Sequence, residues 1–106
     1  VGHQEEQLFT SLASAAERRI REFNSQDLSN TAWAFATVGH QEEQLFTSLA
    51  AAAERRMREF TSQALANTAW AYATVGHQED QLFTSLTVAA ERRMREFNSQ
   101  DLANTA

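Results

Sequence analysis

Four uncharged residues at helical spacing hold the most suggestive chemistry in this chain: Gln26, Asn30, Trp33 and Thr37. Placed on a helix and measured from Leu28, they fall at about 160°, 200°, 140° and 180°, so one face carries all four. Amides can pair with exposed base edges, and an indole can stack on a base. A face of two amides, an indole and a hydroxyl is suited to reading single-stranded nucleic acid. The set recurs as Gln63, Asn67, Trp70 and Thr74, and again as Gln100 and Asn104. A plainer reading competes with it. Trp33 and Trp70 lie among alanines, and indoles so placed are expected to wedge between packed helices. The amide ladder could equally consist of hydrogen bonds between helices.

The second chemical signal is arginine. All nine positive charges are Arg, in three clusters: Arg18, Arg19, Arg21; Arg55, Arg56, Arg58; Arg92, Arg93, Arg95. Arg18 and Arg21 fall on the exposed side of a helix, as do their counterparts Arg55, Arg58, Arg92 and Arg95. Aligned, these six would make a stripe of phosphate contacts. Against this, Glu17–Arg21 and Arg18–Glu22 are spaced for i,i+4 pairing, which neutralises charge locally. Each Glu-Arg-Arg-x-Arg-Glu run nets only +1, three Arg less two Glu. A salt-bridged, solvated helix end is the expected use. The stem of Arg19 is expected to cover apolar surface. The net charge of −5 also counts against nucleic acid.

Other chemistry is poorly supported. His3, His40 and His77 repeat at the period of the chain, which leaves them about 10 Å apart on stacked helices, too far for one metal ion. Nearby acids such as Glu42 and Glu43 suit a helix N-terminus. Cysteine is absent, which removes disulfides and thiolate metal sites. The Ser and Thr residues recur in every copy, whereas catalysis needs one asymmetric cluster. The expectation is a protein without enzymatic activity, metal or cofactor.

The elements that position these residues follow from an internal repeat. Val1, Val38 and Val75 each open the run Val-Gly-His-Gln-Glu, and both separations are 37 (38 − 1 and 75 − 38). Residues 1–37 and 38–74 differ at six places: Ser14/Ala51, Ile20/Met57, Asn24/Thr61, Asp27/Ala64, Ser29/Ala66 and Phe35/Tyr72. Within the first copy, Leu8, Leu12, Ala16, Ile20 and Phe23 recur at three- and four-residue spacing. They predict a helix from about His3 to Glu22. A break after Phe23, capped by Asn24 or Ser25 with Asp27 closing a capping box, leads into a second helix from about Ser25 to Thr37. Its apolar stripe is Leu28, Ala32, Phe35 and Ala36. Gly39 is placed to end it in the left-handed conformation. A hairpin of this kind cannot bury its apolar face alone, and stacked neighbours bury it jointly. The expected fold is all-α, an α-solenoid of antiparallel helix hairpins with units at 1–37, 38–74 and 75–106, the last truncated, cut from a longer array. No apolar run approaches the roughly 18 residues of a membrane span, and no secretory or transit segment is visible.

The run Phe60-Thr-Ser-Gln-Ala-Leu-Ala-Asn-Thr-Ala-Trp-Ala-Tyr-Ala-Thr-Val-Gly76, matched by Phe23–Gly39 and by Phe97–Ala106, resembles the octotricopeptide and heptatricopeptide repeats of organellar proteins. The 37-residue period looks like the heptatricopeptide form, and the octotricopeptide family's proline-rich segment is absent. The resemblance implies a mitochondrial or plastid protein that binds single-stranded RNA in transcript processing, stability or translation. Two functions remain open on the residues. One is RNA binding through Gln26, Asn30, Trp33, Gln63, Asn67, Trp70, Gln100 and Asn104, with Arg18, Arg21, Arg55, Arg58, Arg92 and Arg95 on phosphates. The other is a scaffold that binds protein subunits of a large organellar assembly.

Overall fold

The computed structural model describes residues 2–39, 42–77 and 79–105, and the side chains of 6–39, 42–77 and 79–96. It is all-helical over those residues. The helices are α1 (Gly2–Arg18), α2 (Ser25–Thr37), α3 (Glu43–Arg55), α4 (Ser62–Val75) and α5 (Asp80–Thr105). They form two rows. In one, α1 packs on α3 and α3 on α5; in the other, α2 lies along α4. The rows are joined by contacts of α2 with α3 and α4 with α5. The radius of gyration is 15.6 Å, against about 13 Å for a compact domain of this length. The body is drawn out to 59 × 24 × 23 Å.

Local chemistry sets the shorter helices. Asn24 Oδ1 accepts from the Asp27 N–H at 2.8 Å, and Asp27 Oδ2 accepts from the Asn24 N–H at 3.1 Å, so the capping box forms. At the start of α4 only half of it survives: Thr61 Oγ1 accepts from the Ala64 N–H at 3.1 Å. Gly39 and Gly76 both sit at φ +69°, the left-handed turn that ends each shorter helix. The predicted stripe of α2 is the one buried: Leu28, Ala32, Phe35 and Ala36.

The longer helices depart from expectation in two ways. First, α1 stops at Arg18, and Ile20–Glu22 winds as a 3-10 turn; α3 likewise stops at Arg55 before a 3-10 turn at Met57–Glu59. The tighter winding brings Phe60 fully inside and leaves Phe23 packed against the core. Second, the stripe expected for α1 is only partly used. Leu8 and Leu12 are 56% and 46% exposed, while their counterparts Leu45 and Leu49 in α3 are at 0% and 1%. Identical residues differ because α3 has a neighbour on both sides and α1 on one. Burying such a leucine contributes about 1.5–3 kcal/mol, so the interior of the row carries most of the stability. Phe46 joins that interior at 1% exposure. Edge-to-face ring contacts, Phe9 on Phe35 at 5.5 Å and Phe46 on Tyr72 at 5.1 Å, tie each longer helix to its shorter partner.

The third copy does not repeat the break. α5 runs unbroken through Arg92–Phe97, where the first two copies turn. In the first copy the turn is held from outside: Ser25 Oγ donates to the Glu59 carbonyl at 3.2 Å, across 34 residues. The Glu-Arg-Arg-Met-Arg-Glu-Phe run is the same in the second copy, which does turn, so the difference does not lie in these residues.

Candidate nucleic-acid interface

Because Leu28, Ala32, Phe35 and Ala36 face inward, helical geometry turns Gln26, Asn30, Trp33 and Thr37 outward, and all four are exposed. Gln63, Trp70 and Thr74 on α4 are exposed too, and Asn67 is half-buried. Among the described residues, the side chains of Gln26, Asn30, Gln63 and Asn67 make no hydrogen bond to a neighbouring helix. The amide ladder is therefore not a set of interhelical bonds. The indoles do not wedge between helices either. Trp33 and Trp70 are 46% and 47% exposed and lean on one another, centroids 6.3 Å apart at 35°. The wedge expectation fails because Ala32, Ala36 and their counterparts are small enough for α2 and α4 to close directly, which pushes the rings outward. Each indole keeps one part on its neighbour and one in solvent. The side chains of Gln100 and Asn104 lie outside the described residues.

Arg18, Arg21, Arg55, Arg58, Arg92 and Arg95 are all exposed. The ion pairs that form differ from those expected. Arg19 takes Glu22 at 3.9 Å, and Arg56 takes both oxygens of Glu59 at 3.2 Å, each at i,i+3. The cause is the 3-10 winding, which eclipses residues three apart. Among the described residues, Arg18, Arg21, Arg55 and Arg58 then reach no carboxylate. Arg21 and Arg55 border one shallow hollow between the first two copies, and Arg55, Arg58 and Arg92 border the next. Arg21, Arg55, Arg58 and Arg92 thus border neighbouring hollows, while the middle arginine of each of the first two clusters is spent on a local pair.

Sequence reasoning missed a buried cluster around Tyr72. Its hydroxyl donates to the Phe46 carbonyl. Burial first, and the nearby charge of Glu79 second, push its pKa far above the ordinary phenol value. His77 lies against the Phe46 and Tyr72 rings at 6.0 and 5.7 Å, and its Nε2 meets Glu79 Oε1 at 3.1 Å. The Phe35/Tyr72 difference between copies was the available signal. The cluster latches the start of the third copy to the second. His40 lies outside the described residues, as does the His3 side chain. Among the described residues no three His, Asp or Glu side chains gather as a metal site, and no helix is long and apolar enough to cross a membrane.

No curated protein matches the chain. A family model, RNA-editing substrate-binding complex 6 protein, matches residues 1–106. This match overturns the resemblance to octotricopeptide and heptatricopeptide repeats. The Gln-x-Leu-Ala-Asn-x-x-Trp spacing that carried the resemblance marks one amphipathic helix with a polar outer face, and that pattern is not confined to one family. The chain belongs to the RNA-editing substrate-binding complex 6 protein family.

Proposed function

We propose that this chain is a non-catalytic subunit of an RNA-editing substrate-binding complex and holds single-stranded RNA along the outer face of its shorter helices. The units would be 1–37, 38–74 and 75–106 of a solenoid. Family membership supports the assembly, and editing complexes of this kind work in mitochondria. A plastid location rested on the overturned resemblance and is dropped with it. The observation that carries RNA contact is the half-exposed Trp33–Trp70 pair, flanked by unpartnered amides on an uncharged face. Base stacking on such rings contributes about 1–3 kcal/mol each and tolerates any base. The unpaired outer arginines supply phosphate contacts. Since Gln26/Gln63, Asn30/Asn67 and Trp33/Trp70 are identical between copies, each rung would meet the same chemistry, as in a homopolymer-like tract.

Protein scaffolding is the second reading. The net charge of −5 favours it. Filter binding to homopolymer RNAs at two salt concentrations separates the two. RNA contact requires base preference and a salt slope, with weaker binding by Asn67→Ala at unchanged helicity. A folded helical spectrum with no RNA retained in low salt supports scaffolding.

A further inference from the structure

Trp33 and Trp70 hold equivalent places in successive copies, on helices that pack side by side. Helices in contact run about 8–10 Å apart, so upright indoles at equivalent places would stand about that far from one another. Their centroids are only 6.3 Å apart, at 35°, so the rings lean together across the junction of the two copies. A tilt of 35° is neither the offset stack nor the edge-to-face contact that aromatic rings prefer. Among the described residues neither indole N–H meets an acceptor. On its own helix each ring has only small or uncharged neighbours three and four residues away: a serine or alanine, an asparagine, an alanine and a threonine. None of these is bulky enough to hold the pair closed.

Bases stacked along a strand lie about 3.4 Å apart, so one base between two rings needs about 6.8 Å. That is more than the leaning pair leaves and less than the spacing of the helices beneath. Standing the rings up therefore opens a slot one base wide. We propose that Trp33 and Trp70 are the jaws of a clamp that takes a single unpaired base between them, a proposal that rests on the RNA reading above. The pair exchanges one tilted ring contact for two parallel faces. The edge of the base would meet Asn30 and Thr37 from one copy and Asn67 and Thr74 from the other, each one helical turn from its Trp. No charge lies on α4, and α2 carries only Asp27, so a neutral flat ring suits the slot and a cation finds no counter-charge beside it. A base paired in a duplex must first leave its stack, so the clamp selects single strands. The slot lies within the chain, walled on both sides by described side chains.

Nuclear Overhauser contacts in the whole chain test it, beside filter retention of the same strands. The free chain should show contacts between the two indole rings. Saturation with a uridine homopolymer should erase them and give contacts from uracil protons to both rings. A strand with the same phosphodiester backbone and no bases should leave the indole contacts in place. Both tryptophans are exposed, so Trp33→Ala and Trp70→Ala should fold; circular dichroism checks this. Each should weaken uridine homopolymer binding about 5- to 150-fold and leave the baseless strand unaffected. A retained homopolymer with the indole contacts intact overturns the clamp and spares the RNA reading. So do uracil contacts to one ring alone, a free chain whose rings do not touch, or either variant binding as the wild type does. No strand retained in low salt overturns both.

Discussion

Tyr72 differs from Phe35 by one oxygen, and that oxygen can report on the interior. It is the only tyrosine in the chain. Its phenol is buried and hydrogen-bonded, and burial raises its pKa above the unfolded value of about 10. The neutral form is the one the fold favours, so this contribution is complete below about pH 10 and declines as the pH climbs beyond it. Absorbance titration should show no phenolate until the helical signal is lost, and Tyr72→Phe should flatten the alkaline fall in melting temperature. At neutral pH the same substitution should cost about 0.5–1.5 kcal/mol, the net worth of one hydrogen bond. Ser29 offers the opposite case. Its hydroxyl is buried with no partner, and the second copy has Ala66 at that place. Ser29→Ala should be neutral or stabilising by up to about 1 kcal/mol in thermal unfolding, because it removes an unmet polar group.

At the scale of the element, much of the architecture was legible where the cause is local. The limits of α2, its buried stripe and the left-handed glycines follow from spacing, one cap and one backbone angle. The Asn24 cap should cost about 1 kcal/mol when replaced by alanine. Gly76→Ala should cost about 1–2 kcal/mol, all of it backbone strain, since an added Cβ there meets no atom within 4 Å. Chemical denaturation of both variants measures these. Three features were not legible, for physical reasons that sit outside the residues concerned. Leu8 and Leu45 have the same sequence neighbours, yet only Leu45 has a helix on each side. The outer arginines were assigned to i,i+4 pairs, and the 3-10 winding moved the pairing to i,i+3 and left them free. The break of the first two copies is not repeated in α5, although its Glu-Arg-Arg-Met-Arg-Glu-Phe run is identical to that of the second copy. The Trp pair was placed among the packed helices because alanine neighbours suggested room; those alanines instead let α2 and α4 close beneath it.

For the whole molecule, the two rows divide the work. The longer helices carry the core and, at their ends, the arginines; the shorter ones carry the uncharged outer face. If RNA lies along that face, affinity should fall with salt in proportion to the phosphates met, a slope of about −0.7 for each on a single strand. Arg58→Ala should flatten that slope by about this amount without changing base preference, whereas Trp70→Ala should weaken binding at every salt concentration. The chain has only two tryptophans, Trp33 and Trp70, and both belong to the proposed site. Titrating homopolymer RNA against their intrinsic fluorescence is therefore the most direct measurement. The account requires saturable quenching that weakens at higher salt. Unchanged indole emission in low salt, from a chain that retains its helical spectrum, would contradict it.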